Sequence, residues 1–151
     1  MNQQNLNSLV EMLKRHEGFR SELYKCPTGH LTIGYGHNCD AHGDIVKFQN
    51  RTVSIDEATN ILLNDMAEAR LDCLKFIRSF ENVSEVQQAI LIDMAFNMGI
   101  AKLTKFKDTL KAFSLDNRKG IAKGMIDSDW CSQVGKRATE LVYMALTNEF
   151  I

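Results

Sequence analysis

Leu6, Leu9, Val10 and Leu13 recur at the i, i+3, i+4 and i+7 spacing of a helix with one buried face. Gly18 stands where a left-handed cap closes such a helix, so Glu17 is its expected last residue. From Ser21 to Tyr35 the period changes. Leu23, Tyr24, Leu31, Ile33 and Tyr35 favour extended backbone and Pro27-Thr28-Gly29 favours a turn, which predicts a hairpin. Gly34 and Gly36 flank Tyr35 and permit a bulge or a close backbone approach at the strand end. Residues 38–53 are polar and irregular, with a short strand or turn expected around Ile45 to Val53.

Ser54 and Glu57 have the spacing of a capping box, and the apolar positions from Ala58 to Ile77 keep helical period for about six turns. Ser84 and Gln87 form a second box, ahead of a segment from Val86 to Met98 that is apolar on most sides and ends at Gly99. A helix of that kind belongs at the centre of a core. Leu103, Phe106, Leu110 and Phe113 mark a further helix, Ile121, Met125 and Ile126 a shorter one, and Trp130 precedes a last amphipathic helix through Leu141 and Ala145. The pattern predicts an α+β, mostly helical chain with all its strands in the first third. One domain is expected, made of an N-terminal lobe over about 1–54, a connecting helix over about 55–79 and a helical C-terminal lobe over about 80–151.

Composition narrows the function classes. At 151 residues, 44% hydrophobic and 25% charged, the chain has the make-up of an ordinary globular domain that needs neither disulfides nor metal to hold a core. No apolar run approaches the roughly 20 residues that span a bilayer. The first residues lack a basic flank and an apolar core, so no signal peptide is read and the cytoplasm is the expected compartment. Cys26, Cys39, Cys73 and Cys131 are widely spaced without a CxxC, which reads as four reduced thiols. A net charge of -1 gives no case for nucleic acid. Between Lys102 and Arg137, however, nine basic side chains stand against four acidic ones, a face suited to a polyanion or simply to solvent.

The chemistry gathers in the first third. Glu17 sits at the carbonyl end of a helix, where partial negative charge disfavours the anion and suits a general acid. The hairpin after it returns Cys26, Thr32 and His37 towards that end. Arg20 is placed to pair with Glu17.

Glu17-Gly18-x-Arg20, followed by Tyr24-x-Cys26-x-x-Gly29-x-x-Thr32-Ile33-Gly34-x-Gly36-His37, resembles the signature of the phage-type (T4-like) lysozymes, glycoside hydrolase family 24. Ala89 to Gly99 resembles that family's central helix, and Trp130 with Lys136-Arg137-Ala138 its C-terminal segment. The resemblance implies a two-lobed lysozyme fold with the cleft between the lobes. It also implies an endolysin or muramidase, bacteriolytic in host cell lysis, that cuts the β-1,4 bond between N-acetylmuramic acid and N-acetylglucosamine in peptidoglycan without cofactor or metal.

Carried over by position, Glu17 corresponds to the general acid and Thr32 to the residue that places water, while Cys26 stands where the family most often has Asp. Asn38 and Phe96 correspond to sugar-contacting positions, and His37, pairing with Asp65, to a structural tie at the cleft. The same resemblance implies a monomer without nucleic-acid or stable membrane partners, held in the host cytoplasm until a holin opens its way to the wall. Two other readings stay open. One is a wall-binding protein weakened by the exchange of Asp for Cys. The other is a zinc module built from Cys26, His30, His37, Cys39 and His42.

Overall fold

The computed structural model describes residues 1–151. Its elements in chain order are α1 (Gln3–Glu17), β1 (Arg20–Lys25), β2 (Leu31–Gly34), β3 (His37–Asn38), α2 (Cys39–His42), α3 (Ile45–Phe48), α4 (Ile55–Phe76), a 3-10 turn at Phe80–Asn82, α5 (Glu85–Met98), α6 (Ile100–Leu103), α7 (Lys107–Ser114), α8 (Arg118–Ile126), α9 (Asp129–Val134) and α10 (Lys136–Thr147). The chain is α+β and mostly helical, with one three-stranded antiparallel sheet in the order β1-β2-β3. It forms two compact units, residues 10–67 and residues 1–9 with 68–151, divided inside α1 and inside α4. No helix is long and apolar enough to cross a membrane.

In the 10–67 unit, α1 ends at Glu17, and Gly18 (φ 68°) donates its amide to the Lys14 carbonyl. The Cys26 carbonyl accepts from the Gly29 amide at 2.8 Å, closing the turn that carries Pro27 at its second position. The sheet packs on α4 at Gly34, where a Cβ would lie 3.2 Å from the Cβ of Ala58. Leu13, Ile33, Phe48 and Leu62 are fully buried in this unit.

The strand or turn expected around Ile45 to Val53 is instead the helical turn α3. One turn of helix buries Phe48 and leaves Val46 exposed, and Gln49, in extended backbone, ends it. Only Val53 is strand-like, its amide donating to the Ser21 carbonyl at 2.9 Å. At Ser54 the capping box is half made. The Ser54 hydroxyl accepts from the Glu57 amide, while the Glu57 carboxylate is turned to a two-pronged pair with Arg51.

In the other unit α5 is the core helix, with every residue from Ala89 to Ala95 buried and its N-terminus closed by the complete Ser84–Gln87 box. The single helix expected from Leu103 to Phe113 is two, α6 and α7. Lys105 and Phe106 reach back three residues instead of four, to Lys102 and Leu103, and the tighter turn breaks the axis while the apolar side chains still point inward. α4 stops at Phe76, short of the expected 79, and Trp130 lies within its own helix α9.

Candidate active site

Glu17 is half-buried at the last turn of α1, and its side chain rests on the backbone of Gly36. A Cβ on Gly36 would stand 2.7 Å from Glu17 Cδ and closer still to Oε2, so only glycine leaves room for the carboxyl. Gly36 also holds φ 71°, which glycine adopts freely. The acid and the β2–β3 turn are thus fitted to each other by a missing methyl group.

Strand register gathers the other candidates. Tyr24 is paired with Thr32, and Thr32 with Asn38. Directly opposed residues in antiparallel strands project to the same side, so these three form one row across the sheet. Cys26, two residues beyond Tyr24, falls on that side as well. β1 is bulged between Arg20 and Tyr24, opposite the shorter stretch Thr32–Gly34. The guanidinium of Arg20 lies over the Tyr24 ring at 4.4 Å. Burial raises the Tyr24 phenol above its ordinary value, the negative charges of Glu17 and Cys26 raise it further, and Arg20 opposes them. Tyr24 therefore stands among Glu17, Arg20 and Cys26.

The Cys26 thiol lies 3.0 Å from the Thr28 hydroxyl. Desolvation pushes its pKa up, but hydrogen bonds from the Thr28 side chain, the His30 and Thr28 backbone and the Thr32 side chain outweigh it, so the net shift is downward. Those donors favour the thiolate. Thr32 is buried, and its hydroxyl donates to the His30 carbonyl at 2.9 Å. Asn38 caps α2 by accepting the Ala41 amide at 3.0 Å.

Beside this row lies a histidine–aspartate cluster. His37 Nδ1 is 2.7 Å from Asp65 Oδ2, and His37 Nε2 is 2.8 Å from Asp44 Oδ2. The ring is 5% exposed, and burial alone would hold it neutral; the hydrogen bonds and charges of Asp65 and Asp44 outweigh that and raise its pKa. His42 stacks against His37 with ring centroids 4.3 Å apart. Of the five residues in the zinc reading, His37, Cys39 and His42 join this neighbourhood. His30 lies by Asp40 instead, and Cys26 by Thr28. All four cysteines are free, and burial pushes Cys39 and Cys73 up to about 12.

In the other unit Phe96 is half-buried on α5. Two neighbours on the same helix explain the C-terminal motif. Asp93 accepts from Arg137 Nε at 2.7 Å in a buried ion pair, and Asn97 accepts from the Trp130 indole at 2.8 Å. The sequence reading allowed a close approach at Gly36 without identifying Glu17 as what approaches it, and passed over Tyr24 and the Asp93–Arg137 pair as parts of a working arrangement. The charged Asp93 inside an otherwise apolar run was the available signal for the last of these.

Comparison with known proteins gives a match of the Phage lysozyme family model to residues 14–144. The chain is 29% identical over 163 residues to the pre-baseplate central spike protein Gp5 of Enterobacteria phage T4, covering 93% of this chain and 28% of that protein. It is 26% identical to probable T4-type lysozyme 1 of Dictyostelium discoideum, covering 91% and 92% respectively. To the endolysin of Acyrthosiphon pisum secondary endosymbiont phage 1 it is 24% identical, over 83% of this chain and 80% of that one. The chain thus spans less than a third of the spike protein and most of the other two.

Proposed function

Because the chain belongs to the phage lysozyme family of glycoside hydrolases, we propose that it cleaves the β-1,4 bond between N-acetylmuramic acid and N-acetylglucosamine in peptidoglycan, with Glu17 as general acid. The observation that carries this reading is the Glu17 carboxyl seated on Gly36, beside a sheet face that gathers Tyr24, Cys26, Thr32 and Asn38.

Glycosidic cleavage passes through an oxocarbenium-like state and needs one group to protonate the departing oxygen and another to receive a proton from water. Glu17 gives its proton to the departing oxygen. Water adds to the anomeric carbon, and the Cys26 thiolate accepts its proton; Glu17 is reprotonated through solvent as Cys26 releases that proton. Thr32, its hydroxyl fixed by the His30 carbonyl, serves this step by placing the water. A thiol shifted down by four hydrogen bonds is a usable base where the family most often has a carboxylate.

Release of reducing sugar ends from purified peptidoglycan tests the reading. Wild type is expected to release them, and Glu17→Gln to lose about 10²–10⁴-fold in rate. Cys26→Ala is expected to lose roughly 10²-fold, with Cys26→Asp active. Wall binding without reducing ends from wild type refutes hydrolysis, and full activity in Cys26→Ala removes Cys26 from the reaction.

A further inference from the structure

The lysines of α6, α7 and α8 have no part in the proposed hydrolysis, and the packing of α7 on α8 gathers most of them on one face. The two helices run antiparallel. A Cβ on Gly120 would stand 3.2 Å from Ala112 Cβ, and one on Gly124 would stand 3.1 Å from Thr109 Cβ, so position falls along α7 as it rises along α8. The glycines let the two backbones lie close together. Thr109, Ala112 and Phe113 of α7 and Ile121, Ala122 and Met125 of α8 are buried. Side by side on one core, both helices turn their opposite faces to solvent. That face carries Lys107 and Lys111 of α7, with Leu115 one turn further on, and Lys119, Lys123 and Ile126 of α8. All of these are exposed, Leu115 by 66% and Ile126 by 55%.

Few of the cations are answered by acids. Lys123 pairs with Asp127, and Arg118 faces Asp116 at 3.7 Å. Lys107, Lys111 and Lys119, with Lys102 and Lys105 just ahead of α7, have no carboxylate partner. Asp116 is further engaged by the Gln87 amide at 2.7 Å, which leaves Asp108 as the one unpaired acid between Lys102 and Asp127. The positive field of such a patch acts over about 10 Å in 0.1 M salt, so it is felt locally although the whole chain carries -1.

Charge alone would suit any polyanion, and the aliphatic side chains decide between the sources. A soluble polyanion answers the lysines and leaves Leu115 and Ile126 in water. A bilayer of anionic lipid answers both, with phosphates for the ammonium groups and the acyl boundary for the two aliphatic side chains. Lysine's long apolar stem lets the ammonium stay among the phosphates while its aliphatic neighbours go deeper. We propose that the solvent face of the α7–α8 hairpin, formed by Lys107, Lys111, Lys119 and Lys123 with Leu115 and Ile126, docks reversibly on a bilayer surface rich in anionic phospholipid. Lys102 and Lys105 add to the field at its rim. The contact is peripheral, since no helix is long and apolar enough to cross the bilayer. It is independent of the hydrolytic reading.

The test is co-sedimentation of the full-length protein with vesicles of phosphatidylglycerol mixed into phosphatidylcholine, and with vesicles of phosphatidylcholine alone. Wild type should partition onto the anionic vesicles at least about 10-fold more strongly, and should be released as salt is raised well above about 0.1 M. Lys107→Gln, Lys111→Gln and Lys119→Gln combined should lose about 100-fold, at roughly fivefold for each lysine. The same three positions changed to arginine should bind as wild type does. Leu115→Ser with Ile126→Ser should lose at least roughly 10-fold. Lys47→Gln with Lys75→Gln, two changes outside the hairpin, should have no effect. Every changed side chain is exposed, so circular dichroism should match wild type throughout. Equal binding to both kinds of vesicle, or to neither, overturns the proposal. So does a loss in the Lys47 and Lys75 variant as large as in the triple variant. Binding unchanged in the Leu115 and Ile126 variant marks a general polyanion surface and overturns the assignment to lipid.

Discussion

A methyl group at position 36 would enter the space that the Glu17 carboxyl occupies, and the backbone there is left-handed. Gly36→Ala should therefore lose about 1–2 kcal/mol from φ alone and should also displace the acid. Gly29 makes the comparison clean, because it too is left-handed and a Cβ there meets nothing within 4 Å. Gly29→Ala should lose similar stability in a thermal melt while keeping its rate of reducing-end release, whereas Gly36→Ala should lose both. Cys26 gives a second prediction at this scale. Its thiol is shifted downward from the ordinary thiol value, which lies several units above that of a carboxyl, so activity should fall on the acid side as the thiolate is protonated. Cys26→Asp should move that limb of the pH–rate profile towards lower pH; a limb that stays where it is in this variant would belong to another group.

At the scale of elements, α5 carries two devices of different kinds. Ser84 and Gln87 satisfy each other's backbone amides at its start, and Ser84→Ala should cost about 1 kcal/mol in a urea titration. Asp93 is fully buried in its middle and answers Arg137 of α10. Removing one member leaves a buried charge without its partner, so Asp93→Ala should cost about 3–5 kcal/mol, more than the cap. A cost no larger than that of Ser84→Ala would mean that water or another group takes over from Asp93. Both helix starts carried the same serine signal in the sequence, yet only one box is complete. The Glu57 side chain at Ser54 had a better offer from Arg51, six residues upstream, than from a backbone amide.

For the molecule as a whole, the two units respond to different conditions. The 68–151 portion is held by the apolar α5 and the buried Asp93–Arg137 ion pair. In the 10–67 unit His37 links β3 to Asp44 and to Asp65 of α4, with His42 stacked on it and Cys39 beneath. Its pKa is raised on folding, so the stabilisation it gives is complete below about 6.5, the value of an unfolded histidine, and is lost as pH rises through the folded value. The urea midpoint should fall over that interval. Asp44→Asn should flatten the fall in part, because one of the two charges that raise the histidine is then gone while Asp65 remains.

The helices, their main stops and the hairpin were legible from the residues because they depend on local facts: apolar period, serine caps, and glycine or proline at turns. The α1 boundary at Glu17–Gly18 and the turn at Pro27–Gly29 are of this kind. The motif from Glu17 to His37 pointed to the family for the same reason, since its residues lie close together along the chain. What the chain's order did not disclose were pairings whose partners are distant or depend on register. Asp65 meets His37 across 28 positions and Arg137 meets Asp93 across 44. Tyr24, Thr32 and Asn38 form one row only because the bulge in β1 sets that register. The α3 turn and the split between α6 and α7 escaped the pattern because a spacing of three or four apolar residues survives a change of helix type. Tertiary packing decided these, by fixing which polar atom lay nearest once the apolar faces were buried.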